Sequence, residues 1–160
     1  MPSLPIRRTG ARALVEALRL NGADTIFGVP GESFLAVLDA LVDVPEMRFI
    51  ACRQEGGASY MAEDWAKMTG RPGVCLVTRG PGIANAFVGM HTAQQDSTPV
   101  LFLMGQVARG DLEREAFQEV DVRKIFGSVA KWAAQIDDPA RVPEYLAQAF
   151  RTATAGRPGP

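Results

Sequence analysis

Apolar positions along the chain fall into two rhythms that alternate from end to end. Residues 11–20 carry apolar side chains at helical spacing, with Thr9 placed as an N-cap and Asn21-Gly22 as the stop. "TIFGV" (25–29) follows as a short unbroken apolar run, which predicts a buried strand. The two patterns then repeat. "ESFLAVLDALVD" predicts a second helix and "RFIAC" a second strand. Residues 53–70 predict a third helix, with Glu55 at its opening directly after the strand, and "VCLVT" a third strand. "IANAFVGMHTAQQ" predicts a fourth helix and "PVLFLMG" a fourth strand. Residues 106–120 are polar and aperiodic, "SVAKWAAQI" (128–136) reads as a further strand, and residues 139–155 as a closing helix.

Strands that are continuous apolar runs, separated by helices, belong to a parallel sheet covered on both faces. Right-handed crossovers make this a three-layer, doubly wound α/β domain with a mainly parallel sheet. No internal repeat or long linker divides it. Ligands of such sheets sit at the carboxyl ends of the strands, so the strand-to-helix turns carry the candidate chemistry. Three stand out: "GVPGES" (28–33), "CRQEGG" (52–57) and "TRGPGIANA" (78–86). The first and third are rich in glycine and proline, as tight backbone paths beside a ligand require. The second carries an acid, Glu55, at a strand end and is followed by Gly56, Gly57, Ala58 and Ser59. A carboxylate there is either a helix-start acid favoured by the dipole or a group that something uses.

Composition narrows the classes. At 160 residues and 47% apolar the chain holds enough material for one substantial core. Its 17 basic side chains balance 18 acidic ones, so no polybasic face points to nucleic acid or an anionic membrane. No apolar run approaches the roughly 18 residues of a membrane span. "MPSLPIRRTG" has Arg7 and Arg8 with no apolar stretch behind them, unlike a secretory signal. Cys52 and Cys75 lie in strand-like runs and read as reduced core residues of a cytoplasmic protein. His91, the single histidine, falls mid-helix and is assigned a structural or interface role. Met61, Met68 and Met90 read as core filling.

One reading of the third turn is a nucleotide fingerprint. Gly80 and Gly82 give G-x-G between a strand and a helix, which would suit a dinucleotide-binding oxidoreductase. Asn85 stands at the third glycine position, however, and the next strand ends in Gly105-Gln106 rather than in a ribose-gripping acid.

The other reading comes from several motifs taken together. "GVPG", "RQEGGASYMAEDWAKMTGRPGV", "TRGPGIANA", "QQDSTPVLFLMGQV", "AFQEVD" and "GRPGP" occur here in order and in register. In this they resemble the N-terminal pyrimidine-binding domain of thiamine diphosphate-dependent, acetolactate synthase-like enzymes, over almost the whole chain. The resemblance implies that Glu55 contacts the cofactor's aminopyrimidine ring, where a carboxyl group at N1′ supplies proton exchange. It places Val29, Pro30 and Gly31, with Thr78, Gly82 and Asn85, beside the cofactor, and Phe117 and Gln118 on the substrate side. Relatives often have His at the position of Gln54 and Gln at that of Gly56. Lys131 and Trp132 match a common pair, read as a strand packing residue with a snorkelling neighbour.

The same resemblance implies Mg²⁺ and the diphosphate held by a "GDG…N" motif in a C-terminal domain, and a middle domain that in some members binds FAD. Neither is recognisable here: Asn21 and Asn85 are the only asparagines. The expectation is therefore an N-terminal domain, residues 1–160, of a longer homodimeric or homotetrameric enzyme acting on a 2-oxo acid such as pyruvate. A non-catalytic cofactor-binding or regulatory module stays open beside it.

Overall fold

The computed structural model describes residues 8–160. The N-terminal stretch, with Arg7, lies for the most part outside them.

Four parallel strands form the sheet: β1 (Thr25–Gly28), β2 (Arg48–Ala51), β3 (Gly73–Val77) and β4 (Val100–Met104), in the order β2-β1-β3-β4. Because side chains alternate faces along a strand, each strand feeds two cores. Ile26, Val74, Leu76 and Leu101 pack against α1 (Gly10–Leu20), α2 (Leu35–Val42) and α6 (Val142–Thr154). Phe27, Cys75, Val77 and Val100 point the other way, against α3 (Glu55–Thr69), α4 (Gly80–Asp96) and α5 (Val122–Phe126). The result is a three-layer α/β domain with helices on both faces.

Local chemistry sets the helix ends. Thr9 caps α1, its hydroxyl accepting from the Arg12 N–H at 3.2 Å. Gln54 caps α3 by accepting from the Gly57 N–H at 2.9 Å, and Gly70 ends that helix in the left-handed conformation, with φ of 69°. Inside α3 a second glutamate, Glu63, is fully buried. It pairs with Lys67 at 2.7 Å and accepts from the Thr98 hydroxyl at 2.9 Å, so its charge is spent on holding α3 to the end of α4. Hydrogen bonds from Lys67 to Asp96 and to Glu63 push the lysine's pKa upward.

Several sequence expectations need correction. Residues 128–136 do not pair into the sheet. Residues 128–131 turn away from α5, with the Val129 and Ala130 N–H groups donating to the Phe126 carbonyl, and 132–136 are irregular; an apolar cavity of about 130 Å³ lies between this segment, β4 and α6. Lys131 is no strand snorkeller: its ammonium donates to the Thr152 and Ala155 carbonyls and so caps the end of α6. Met90 is core, but Met61 is 43% and Met68 87% exposed. Cys75 is buried and Cys52 half-buried, and both thiols are free. The fourth helix begins three residues earlier than its apolar pattern, at Gly80, because Pro81 fits the first turn of a helix. Among the described residues no helix is long and apolar enough to cross a membrane.

Candidate functional site

The three turns singled out above all lie at the carboxyl ends of β1, β2 and β3. Glu55 is the first residue of α3, half-buried, where the helix N-terminus favours an acid. One and a half turns into α4, the Asn85 amide Nδ2 donates to Glu55 Oε2 at 3.0 Å. The N-cap of α4 is Arg79, and Asn85 lies within the helix. Glu55 Oε1 and Asn85 Oδ1 carry no further hydrogen bond among the described residues. A carboxyl oxygen and an amide oxygen are thus presented side by side at an open helix start.

A second group of residues forms around Thr78. Its hydroxyl shares a hydrogen bond with Ser33 Oγ at 2.9 Å, joining the β1 turn to the end of β3. Gly31 sits so close that a Cβ there would lie 2.8 Å from Thr78 Cβ, and a Cβ on Gly82 would lie 2.7 Å from Thr78 Cγ2. Val29 and Gly31 are half-buried and Pro30 is exposed along that turn. The 106–120 loop closes over this group, with the Gln118 carbonyl accepting from the Gly80 N–H at 2.9 Å. Phe117 is 73% exposed and its ring lies 5.8 Å from the Arg79 guanidinium carbon. The Glu119 carboxylate braces the loop by accepting from the Glu113 and Ala116 N–H groups, at 2.6 and 3.1 Å.

The sequence-selected residues therefore fall into two sets. Glu55 and Asn85 form one; Gly31, Thr78, Gly82, Phe117 and Gln118 form the other. No direct hydrogen bond links the sets among the described residues, but α4 contributes to both. Sequence reasoning missed Ser33, which ties two turns together, and Arg79, which touches both the β1 turn and the loop. Both stand inside quoted motifs, and only the contacts reveal them. His91 is exposed on α4 with its ring 6.3 Å from that of Phe87, outside either set.

The first turn of α4 bears on the nucleotide reading. The Gly80 N–H is taken by Gln118, and those of Gly82 and Ile83 by the Arg79 carbonyl, at 2.8 and 3.2 Å. The "GPG" glycines are thus engaged inside the protein and do not form an open phosphate cradle.

A sheet with its candidate chemistry on three strand-end turns and one acid at a helix start has the layout of a ligand-binding α/β domain. The chain belongs to the thiamine pyrophosphate enzyme family: residues 8–125 match its "N-terminal TPP binding domain". It is 42% identical over 156 residues to the acetolactate synthase large subunit of Corynebacterium glutamicum, an alignment covering 98% of this chain and 25% of that protein. The probable large subunit of Methanocaldococcus jannaschii is 42% identical over 151 residues (94% of this chain, 25% of the relative). The mitochondrial catalytic subunit of Saccharomyces cerevisiae is 39% identical over 152 residues (95% and 22%). The chain thus spans about a quarter of the length of these relatives.

The residues present suit the family's cofactor. With Oε2 held by Asn85, the unpaired Glu55 Oε1 offers a carboxyl group that could share a proton with a ring nitrogen of an aminopyrimidine. Among the described residues no group of three or more His, Cys, Asp or Glu is placed to hold a metal ion.

Proposed function

We propose that this domain holds the aminopyrimidine of thiamine diphosphate within an acetolactate synthase-like enzyme acting on a 2-oxo acid such as pyruvate. The observation that carries the reading is the Glu55–Asn85 pair, 3.0 Å apart at the start of α3, in a chain of this family. When bound, the cofactor supplies a thiazolium carbon that attacks the substrate carbonyl. The chain's own part is proton management. Asn85 fixes one carboxylate oxygen of Glu55, leaving Oε1 to hold a proton and exchange it with the ring nitrogen it faces. Gly31 and Gly82, packed against Thr78, and Val29 and Pro30 beside them line the neighbouring strand-end turns that border the cofactor. Phe117 and Gln118 face the substrate side.

Mg²⁺ and the diphosphate are then held by parts of the enzyme other than these residues, and any FAD binding belongs with those parts. The exposed Tyr60, Met61 and Val88 on α3 and α4 supply an apolar surface suited to a homodimer or homotetramer, in a cytoplasmic enzyme. Glu55→Gln in the intact enzyme tests the central claim, because the amide is nearly isosteric but cannot exchange the proton. Turnover should fall by about 10² to 10⁴ with the fold unchanged. Exchange of the thiazolium carbon's proton, followed by NMR, should slow in parallel; exchange at the wild-type rate would remove Glu55 from the mechanism.

A further inference from the structure

Arg79 is placed where a cation is disfavoured. It caps the N-terminus of a 17-residue helix, at the positive end of the dipole. Only 12% of its side chain is exposed, and its Nε is buried without a hydrogen-bond partner among the described residues. An unpaired, buried N–H on a charged group is costly to keep. Its acidic partner, Glu32, is 69% exposed at the rim of the β1 turn and can swing into water at little cost. Phe117 covers the guanidinium from the loop side. The first N–H groups of α4 are already taken by Gln118 and by Arg79's own carbonyl, so the anion-binding capacity here belongs to the guanidinium and not to the helix end.

We infer that Arg79 is the carboxylate-recognising residue of this site, with Glu32 as its placeholder counter-ion. The inference rests on the reading that the enzyme takes a 2-oxo acid. A guanidinium presents paired N–H donors in one plane, the geometry that matches a carboxylate. On binding, the substrate carboxylate replaces that of Glu32 on Nη2, so net charge at the fork is unchanged, and the buried Nε–H beside it reports the exchange. Phe117 then borders the short carbon skeleton that extends from the carboxylate. The displaced Glu32 remains at the rim, where it repels a second negative charge and disfavours dicarboxylic acids.

The test uses the 160-residue chain, without thiamine diphosphate. The Arg79 Nε–H signal, assigned by its loss in Arg79→Lys, is followed by NMR during titration with pyruvate and with its neutral analogue pyruvamide. Pyruvate should shift that signal saturably, and pyruvamide should not. Glu32→Gln should tighten the apparent dissociation constant about threefold or more, because the competing carboxylate is gone. No shift up to about 100 mM pyruvate in either the wild type or Glu32→Gln would overturn the inference, since one charge-assisted contact corresponds to a dissociation constant of roughly 5–80 mM. An equal response to pyruvamide would overturn it as well. Because the cofactor takes no part, this result is independent of the Glu55 exchange experiment, and either can fail alone.

Discussion

Replacing Gly89 with alanine probes the distance between the two helices that carry the Glu55–Asn85 pair. Gly89 packs on Ser59 so closely that an added Cβ would lie 2.3 Å from Ser59 Oγ, 2.7 Å from its Cβ and 2.8 Å from its carbonyl carbon. The hydroxyl cannot turn aside freely, because it donates to the Gly56 carbonyl at 2.7 Å in a fully buried setting. Ordinary contact needs about 3.5 Å, so α3 and α4 must part by most of an ångström. Overpacking of this kind costs about 1–3 kcal/mol. Strain on the Ser59 hydrogen bond adds about 0.5–1.5 kcal/mol. Alanine's better helix propensity returns about 1 kcal/mol. The net is a loss of roughly 0.5–3.5 kcal/mol, or a fall in Tm of about 1–14 °C for a chain of this size.

Thermal and urea unfolding measure that loss. Running it again in a Ser59→Gly background, where two of the three close atoms are gone, should recover part of it. Ser59 and Gly89 each lie one helical turn beyond Glu55 and Asn85, so the same substitution should also loosen the 3.0 Å pair and slow cofactor proton exchange. A Gly89→Ala chain more stable than wild type by about 1 kcal/mol would show propensity alone at work and refute the close packing. So would a cost unchanged by Ser59→Gly.

Burial, with the nearby Cys52 and Glu55 adding to it, pushes the Cys75 thiol from its ordinary value of 9.0 up to about 12. The unfolded chain ionises this thiol first, so stability present below pH 9 should be lost progressively toward pH 12; Cys75→Val should flatten that decline in alkaline unfolding curves. Thiol-reagent titration of the folded chain should label only Cys52, and rapid labelling of both would contradict the buried position. Calorimetric titration of the 160-residue chain with thiamine diphosphate and Mg²⁺ should give affinity no better than roughly millimolar, and a micromolar constant would mean that the whole site lies in this chain. Light scattering should show self-association through the Tyr60, Met61 and Val88 surface, and a strict monomer across micromolar concentrations would count against it.

The sheet and its helices were legible because each strand is an unbroken apolar run and each helix a periodic one. The exception is instructive. "SVAKWAAQI" has the composition of a strand, yet its backbone bonds elsewhere: the Lys131 N–H donates to the Pro160 carbonyl at 2.7 Å, and its side chain caps α6. Composition records what a segment can bury, not which partner takes its N–H groups. The site was half-legible for the same reason. Glu55 stands out as a strand-end acid, but its bond to Asn85 depends on two helices 30 residues apart in sequence. Arg79 looks like any surface arginine until its Nε is found buried and unpartnered. Met61 and Met68 show the converse error, since an apolar side chain on a helix was taken for core when it faces out.

The strand order also has a consequence for how the chain is made. β1 is an interior strand bonded to β2 on one side and β3 on the other, but β3 begins at Gly73, 45 residues after β1 ends at Gly28. At roughly 5–20 residues per second of synthesis, the apolar edge of β1 waits on the order of 2–9 s for that second neighbour. No hairpin can shorten the delay, because every pairing in the sheet is parallel and needs a crossover helix. Until β3 is made, the β3-facing edge of "TIFG" has no partner, the kind of surface that molecular chaperones guard.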